Sequence, residues 1–403
     1  MHNLKEGIIS ITNRCNLHCK MCDIPLQKHE ELATYQWKEI ISDFASLGAE
    51  TVVFSGGEPL LRKDLLELIA FAKESSLKVC ITSNGVMINK DLAKELSEAG
   101  VDVINISIDG LEVIHDYLRG EGNFNKALEA LKYLKINNIE LTIATMVSRY
   151  NYKDLVSIVN LAKNLGVTTI KLQPFNSLFL KDEKAKADFF INSEDIDGLK
   201  NIIKDVYLKC IEYGIAINPR EYLERLPVYL SNKFLAKSKF CPALYSSLPL
   251  NAKGEFYPCW VNTQESYLIA DLSKERLINV WGKNKHRRVI KNILDNGCFG
   301  CAMSCYDGNF KANQITDKIK RNIGAIKTRG LFVYAEAFYR KLRRKVSFYS
   351  SYRGSAKEII RRIAKFFVKK SETIIEPADK NSQALNEIDI AIKILKKEIG
   401  LRK

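Results

Sequence analysis

The chain reads TNRCNLHCKMC over residues 12–22, which places Cys15, Cys19 and Cys22 in a C-x3-C-x2-C spacing. Three thiolates at this spacing can hold a four-iron cluster by three corners and leave the fourth iron open for chemistry. Zinc is the alternative that the spacing leaves open, with His18 or His29 as a fourth ligand. We expect metal ligation rather than disulfides, because ten cysteines occur without a secretion signal, as is typical of a reducing cytoplasm.

The sequence around this motif alternates short apolar stretches rich in β-branched residues with longer stretches of helical periodicity. Strands are predicted at residues 7–12, 51–54, 78–81, 103–107, 140–147 and 168–173. Helices are predicted near residues 35–47, 64–75, 89–99, 123–137 and 151–165. Such alternation predicts an α/β fold with a parallel sheet and right-handed crossovers. A partial (β/α)6 barrel and a doubly wound sheet fit the periodicity equally well.

Polar loops follow the second, third and fourth predicted strands, at residues 55–59 (SGGEP), 82–85 (TSNG) and 107–110 (SIDG). Ligands collect at the carboxyl ends of parallel strands, so these loops and the cysteine motif should line one cavity. Gly56 and Gly57 let a backbone approach a ligand closely, and the Glu58 carboxylate suits an amino-acid ammonium group. Ser107 and Asp109 suit ribose hydroxyls. A plain turn is the alternative for both loops.

Together the cysteine triad, the Gly-Gly-Glu-Pro loop and the Ser-Ile-Asp-Gly loop resemble the radical S-adenosylmethionine (SAM) enzymes, over roughly residues 7–175. The resemblance implies a partial (β/α)6 TIM-type barrel and a [4Fe–4S] cluster on the cysteine triad, whose unique iron chelates the methionine part of SAM. It also implies reductive cleavage of SAM to a 5′-deoxyadenosyl radical that abstracts hydrogen from a substrate, which the sequence does not identify. The electron donor would be a reductase, a flavodoxin or a ferredoxin.

The same resemblance assigns SAM contacts by position. Gly56, Gly57 and Glu58 would hold the amino group, and Ser107 and Asp109 would lie by the ribose. Arg119 matches an arginine that helps to anchor SAM in related enzymes, with a surface or helix-capping arginine as the alternative.

A second group of cysteines lies further along the chain, at Cys241, Cys259, Cys298, Cys301 and Cys305. A hairpin is predicted at residues 248–251 and 255–259. The group resembles the auxiliary-cluster extensions called SPASM and twitch domains. Five cysteines rather than seven imply one auxiliary [4Fe–4S] cluster on Cys241, Cys259 and two of the last three, preferably Cys298 and Cys301. Structural zinc is the alternative.

Two features of the sequence bear on the substrate. Trp260 stands where sulfatase-maturing relatives carry an Asp, and we expect no peptide-binding module before the barrel. These features disfavour sulfatase maturation and leader-guided peptide modification, and they leave open dehydrogenation of a sugar or cyclitol, carbon–carbon bond formation and peptide cross-linking. An auxiliary cluster with full ligation favours electron transfer, and thus an oxidative or bond-forming reaction.

The formal net charge of +15 is concentrated in residues 310–403, which hold 24 Lys or Arg and 9 Asp or Glu. Apolar residues recur there at helical spacing, so we predict basic amphipathic helices. They would suit an anionic membrane surface, RNA, or packing on the barrel. We predict a cytoplasmic protein, peripheral to the inner membrane surface if the tail binds lipid, with nucleic acid disfavoured. The competing function is a non-catalytic metal-cluster protein whose tail binds membrane or RNA.

These features predict four segments. Residues 1–192 would form the barrel, 193–239 linking helices, 240–309 a small cysteine-rich α+β domain and 310–403 the basic helical tail. Hydrophobic residues at 46% and charged residues at 27% are typical of a globular protein. Cys80 and Cys210 read as buried apolar residues.

Overall fold

The computed structural model describes residues 4–27, 30–232, 241–296 and 298. The strands of this described part are β1 (Glu6–Thr12), β2 (Thr51–Gly56), β3 (Lys78–Ser83), β4 (Val103–Ser107), β5 (Glu140–Val147), β6 (Thr169–Pro174), β7 (Ser247–Leu250), β8 (Glu255–Phe256) and β9 (Ala270–Asp271). Its α-helices are α1 (Thr34–Ser46), α2 (Leu65–Glu74), α3 (Lys90–Glu98), α4 (Glu112–Arg119), α5 (Asn123–Ile136), α6 (Leu155–Leu165), α7 (Glu183–Phe189), α8 (Ile196–Glu212), α9 (Arg220–Leu223), α10 (Leu226–Leu230), α11 (Ala243–Ser246) and α12 (Asn284–Asn296).

The first six strands stand side by side in the order in which they occur in the chain. The sheet order is β6-β5-β4-β3-β2-β1-β7-β8-β9, and every pair from β1 to β6 is parallel. A doubly wound sheet reverses its strand order at a switch point, whereas a barrel adds each strand beside the last. The predicted α/β fold with a parallel sheet is therefore confirmed, and its strand order is that of a partial TIM-type barrel.

The last three strands continue the same sheet beyond β1. β7 pairs in parallel with β1, and β8 and β9 add antiparallel strands. The predicted hairpin forms between β7 and β8, but its second strand ends at Phe256 rather than at residue 259. The segment that carries Cys241 and Cys259 is thus hydrogen-bonded to the barrel sheet through β7.

The core lies between this sheet and its helices. In α1, Trp37, Ile40, Ile41 and Phe44 recur at helical spacing, and each is at most 3% exposed. A Cβ at Gly7 of β1 would lie 2.3 Å from the Phe44 ring, so the missing side chain admits the ring. Full burial of one such side chain contributes about 1.5–3 kcal/mol.

Within residues 1–192, two helices fall where the sequence predicts none. α4 spans only eight residues, which is too short for its periodicity to be recognised, and it exposes Val113 and Tyr117 while it buries His115 and Leu118. α7 is the second of these helices, and the Asp182 side chain accepts hydrogen bonds from two of its first N–H groups. Such a cap starts a helix without apolar periodicity.

The chain divides into two compact units. The first contains Met1–Cys210 and Ile215–Thr316, and the second contains Ile211–Gly214 and Asp317–Lys403. Of the second unit only Ile211–Gly214 is among the described residues, so the predicted basic tail at 310–403 lies outside them, and so does His29. Within the described part of the chain, no helix has both the length and the apolar character needed to cross a membrane.

Candidate active site

The cysteine motif occupies the loop that follows β1. Three backbone hydrogen bonds fix this loop: Cys22 N donates to Cys19 O at 3.1 Å, Lys20 N to Leu118 O at 2.9 Å, and Asp23 N to Phe179 O at 2.7 Å. The loop is thereby tied both to α4 and to the segment after β6. The three thiols are held in place by elements that are far apart in the sequence.

The three cysteines line one cavity of about 170 Å³ at the carboxyl ends of the strands. Its wall contains four other residues that the sequence assigns to SAM binding, namely Gly56, Gly57, Ser107 and Arg119. The remaining lining residues are Leu17, Met21, Pro25, Ser55, Thr82, Ser83 and Asn84. Loops from β1 to β4 thus meet at one cavity, as the α/β topology predicts.

Glu58 lies behind the cavity wall and is fully buried. Its carboxylate accepts hydrogen bonds from Ser83 Oγ at 2.9 Å, from Asn84 N at 2.8 Å and from Leu60 N at 3.2 Å. Burial raises the pKa of this carboxyl group to about 7, against the effect of these three donors. Glu58 therefore links the β2 loop to the β3 loop. Its contact with an ammonium group stays a prediction.

The two glycines let the β2 loop lie against the start of the cysteine loop. Gly57 N donates to Thr12 O at 2.7 Å, and Glu58 N donates to Arg14 O at 2.8 Å. A Cβ at Gly57 would lie 2.2 Å from Arg14 O, and Gly56 has a φ of +134°. These two N–H groups therefore already have acceptors within the protein. An ammonium ion only donates hydrogen bonds, so it would have to bind to oxygen acceptors of this loop.

Asp109 and Arg119 form an ion pair beside the cysteines. Arg119 Nε lies 2.6 Å from Asp109 Oδ2, with the aspartate side chain fully buried and the arginine 15% exposed. The other carboxylate oxygen accepts from Met146 N at 2.7 Å. The carboxylate of Asp109 thus orients Arg119 towards the cavity, and a role for Asp109 at a ribose stays a prediction.

Two buried side chains hold this ion pair from behind. His115 Nδ1 accepts from Asp109 N at 3.2 Å, and Asn151 Nδ2 donates to Asp109 O at 2.8 Å. Burial lowers the pKa of His115 to about 4, so the ring is neutral at pH 7 and its nitrogen can accept. Sequence analysis missed both residues, because neither belongs to a motif.

The electrostatics of the three thiols depend on burial and on Arg119. Burial raises the pKa of all three, that of Cys22 to about 11, while the Arg119 guanidinium acts against the rise at each of them. Bare thiols would be protonated here, and metal binding would have to displace the protons. A positive charge next to three thiols is a suitable environment for the anionic thiolates that a cluster requires.

The donor set fits a cluster better than a single ion. Among the described residues, no three His, Cys, Asp or Glu side chains converge on one metal position. In a [4Fe–4S] cube each thiolate binds a different iron, so the sulfur atoms need to surround a volume rather than a point. Three thiols around one cavity meet that requirement.

The structure also brings together cysteines of the second group. The pKa of Cys241 is raised to about 11, mainly by burial and in smaller part by the negative charges of Cys259 and Cys298. The pKa of Cys259 is raised by burial, opposed by Asn262, whose backbone N and Nδ2 both donate to its Sγ, at 3.3 and 3.2 Å. Cys301 and Cys305 lie outside the described residues.

An ion network also supports the cysteine loop. Glu31 bonds to Thr12, Arg14 and Arg62, and Arg62 also donates to the carbonyl oxygens of Ile11 and Leu32. It joins the end of β1 to the segment before α1. These residues belong to no local sequence motif. The only signal for the network in the sequence is that its charged residues lie near the ends of predicted strands and helices.

Comparison with known proteins is consistent with this geometry. A profile described as the radical SAM superfamily matches residues 9–162. The Fe-coproporphyrin III synthase of Methanosarcina barkeri is 37% identical over 167 residues, 40% of this chain and 41% of that protein. The PqqA peptide cyclase of Bradyrhizobium diazoefficiens is 32% identical over 170 residues, 41% of this chain and 45% of that protein.

Solved structures share the fold at low sequence identity. Streptococcus suis SuiB bound to S-adenosylmethionine aligns with a TM-score of 0.59 at 16% identity, over 79% of this chain and 76% of that one. The protein anSMEcpe with bound AdoMet and Cp18Cys peptide aligns with a TM-score of 0.57 at 18% identity, over 83% of this chain and 99% of that one.

Residues 9–162, which form most of the barrel, thus match the radical SAM superfamily. The predicted superfamily is thereby confirmed, whereas the SPASM or twitch assignment of the second cysteine group stays a prediction. The chain spans less than half of the length of these two curated relatives.

Proposed function

We propose that this protein is a radical SAM enzyme that binds a [4Fe–4S] cluster through Cys15, Cys19 and Cys22 and acts on an unidentified substrate. The observation that carries the proposal is the single cavity that these three cysteines share with Gly56, Gly57, Ser107 and Arg119. When bound, the cluster and SAM together supply reductive cleavage to a 5′-deoxyadenosyl radical, with an electron from a reductase, flavodoxin or ferredoxin.

The residues of this chain would prepare the cavity for that chemistry. Arg119, fixed by buried Asp109, places a permanent positive charge next to the thiolates and offsets their mutual repulsion. Leu17, Met21 and Pro25 give the cavity an apolar wall, which keeps water from a reactive radical. Glu58 holds the loops after β2 and β3 together, so that the ligand-facing backbone is preorganised.

We further propose one auxiliary [4Fe–4S] cluster on Cys241 and Cys259, with two ligands from Cys298, Cys301 and Cys305. The charges of Cys259 and Cys298 raise the pKa of Cys241, and the charge of Cys298 raises that of Cys259, which supports the proposal because such effects require that the thiols lie near one another. Two N–H donors on Cys259 Sγ also suit a thiolate ligand. Such a cluster would accept an electron in an oxidative or bond-forming reaction.

Cys19→Ala tests the first site. In anaerobically reconstituted protein, we expect this variant to lose about four irons per chain, together with dithionite-dependent formation of 5′-deoxyadenosine from SAM. Cys210→Ala is the matched control, because Cys210 is buried in α8 and should affect neither quantity. Full SAM cleavage by Cys19→Ala would refute the assignment.

Cys259→Ala tests the auxiliary site separately. We expect it to lose about four irons while it still forms 5′-deoxyadenosine without substrate, since the first cluster remains. Retention of all the iron in Cys259→Ala would refute the auxiliary cluster and leave the first site untouched.

A further inference from the structure

The inner face of the sheet carries a lysine in line with the cavity. Ser107, which lines the cavity, stands opposite Ala144 of β5, and Ala144 stands opposite Lys171 of β6. Residues directly opposite each other in neighbouring strands point to the same face. Lys171 therefore shares the inner face with the cavity, and the small side chain of Ala144 leaves space between them.

Hydrogen bonds connect Lys171 to the cavity wall. Its Nζ lies 3.4 Å from Asn105 Oδ1, and Asn105 Nδ2 donates to Thr82 Oγ1 at 3.1 Å. Thr82 is itself a lining residue. Asn105 is 5% exposed, whereas Lys171 is exposed, so the amide supports the lysine from the buried side and leaves the ammonium accessible.

Lys171 is hydrogen-bonded to a neutral amide rather than paired with a carboxylate in the part of the chain that the structure describes. Among the described residues it forms no ion pair within 4.0 Å. Burial raises the pKa of the Glu6 carboxyl group at the start of β1, and the charge of Lys171 acts in the opposite direction. An accessible ammonium group on the inner face of an open barrel, supported by a neutral amide, is free to bind an anion.

We propose that Lys171 binds an anionic group of the substrate, a carboxylate or a phosphate, on the inner face of β6. This inference rests on the proposed function and adds a substrate class to it. Ser107 and Lys171 stand two strands apart, about 10 Å at the usual strand spacing. The substrate would therefore carry its anionic group roughly that far from the carbon that reacts near Ser107.

Site-resolved amine labelling tests the proposal. The reconstituted full-length protein is treated with an amine-acetylating reagent in increasing phosphate or, separately, succinate, and the rate at each lysine is read by mass spectrometry. We expect the rate at Lys171 to fall saturably, about tenfold at ten times the midpoint concentration. Lys132, an exposed lysine on α5, is the internal control and should keep its rate.

The outcomes separate the possibilities. If only phosphate protects Lys171 from acetylation, the substrate carries a phosphate; if only succinate protects it, the substrate carries a carboxylate. Protection by both shows that Lys171 binds either kind of anion. Equal rates at Lys171 with and without either anion, or parallel losses at Lys171 and Lys132, would overturn the proposal. SAM cleavage is measured on the same sample: its absence counts against the proposed function, whereas unprotected Lys171 with intact cleavage counts against this inference alone.

Discussion

Replacing Asp109 by Asn should strongly destabilise the protein, because it removes one partner of a buried ion pair. The Asp109 side chain has no exposed surface, Arg119 is 15% exposed, and the two lie 2.6 Å apart. Loss of one partner from such a pair typically costs about 3–5 kcal/mol, since the remaining charge is buried without compensation. The folding equilibrium would shift by roughly two to four powers of ten.

Urea unfolding of the metal-free protein, followed by circular dichroism, measures this loss. Glu98→Gln is the matched control: it makes the same carboxylate-to-amide change in a pair with Lys94 in which both side chains are more than 60% exposed. Such a surface pair contributes less than about 1 kcal/mol. Unfolding of Asp109→Asn at the same urea concentration as Glu98→Gln would show that the ion pair does not stabilise the protein as expected.

Two further predictions concern stability. The pKa of His115 is lowered from 6.5 to about 4 in the folded protein, so the unfolded chain binds the proton first as the pH falls. Relative to His115→Gln, the wild type should therefore lose roughly 3 kcal/mol of stability between about pH 6.5 and about pH 4. Urea midpoints of the two proteins that change in parallel across this pH range would contradict the prediction. Gly57→Ala should destabilise the protein by about 1–3 kcal/mol, because its Cβ would lie 2.2 Å from Arg14 O. Gly198→Ala in α8 meets open space and should stabilise the protein by about 0.5–1 kcal/mol. Thermal unfolding compares the two variants, and equal effects would rule out the close contact at Gly57.

The barrel could be predicted from the sequence because each strand is a compact apolar run followed by a loop. Strands β4 and β5 have the predicted bounds, and the other four of the first six differ by at most two residues at an end. Gly48, Gly100 and Gly166, which directly follow three of the predicted helices, all have positive φ, as is typical of glycines that end helices. Strand order could not be predicted, because periodicity reports which face is buried and not which strand lies alongside.

The site could be predicted only as far as its motifs extend. The cysteine spacing and the loops at the strand ends indicated the cavity. The parallel topology places these loops at the same end of the sheet, independently of their side-chain interactions. The pairing of Asp109 with Arg119 depends on the positions of α4 and β5, and the environment of Glu58 depends on the end of β3 and the loop after it; no local pattern encodes either. Lys171 belongs to no motif. Only the register of β4, β5 and β6 shows that it lies on the same face of the sheet as the cavity residue Ser107.

The most direct test of the central claim is the product formed from SAM. Anaerobically reconstituted wild-type protein is incubated with SAM and dithionite, and 5′-deoxyadenosine is quantified by mass spectrometry beside iron and sulfide per chain. We expect about eight irons per chain and 5′-deoxyadenosine that requires both reductant and protein. Zinc in place of iron, or a full complement of iron without any 5′-deoxyadenosine, would contradict it.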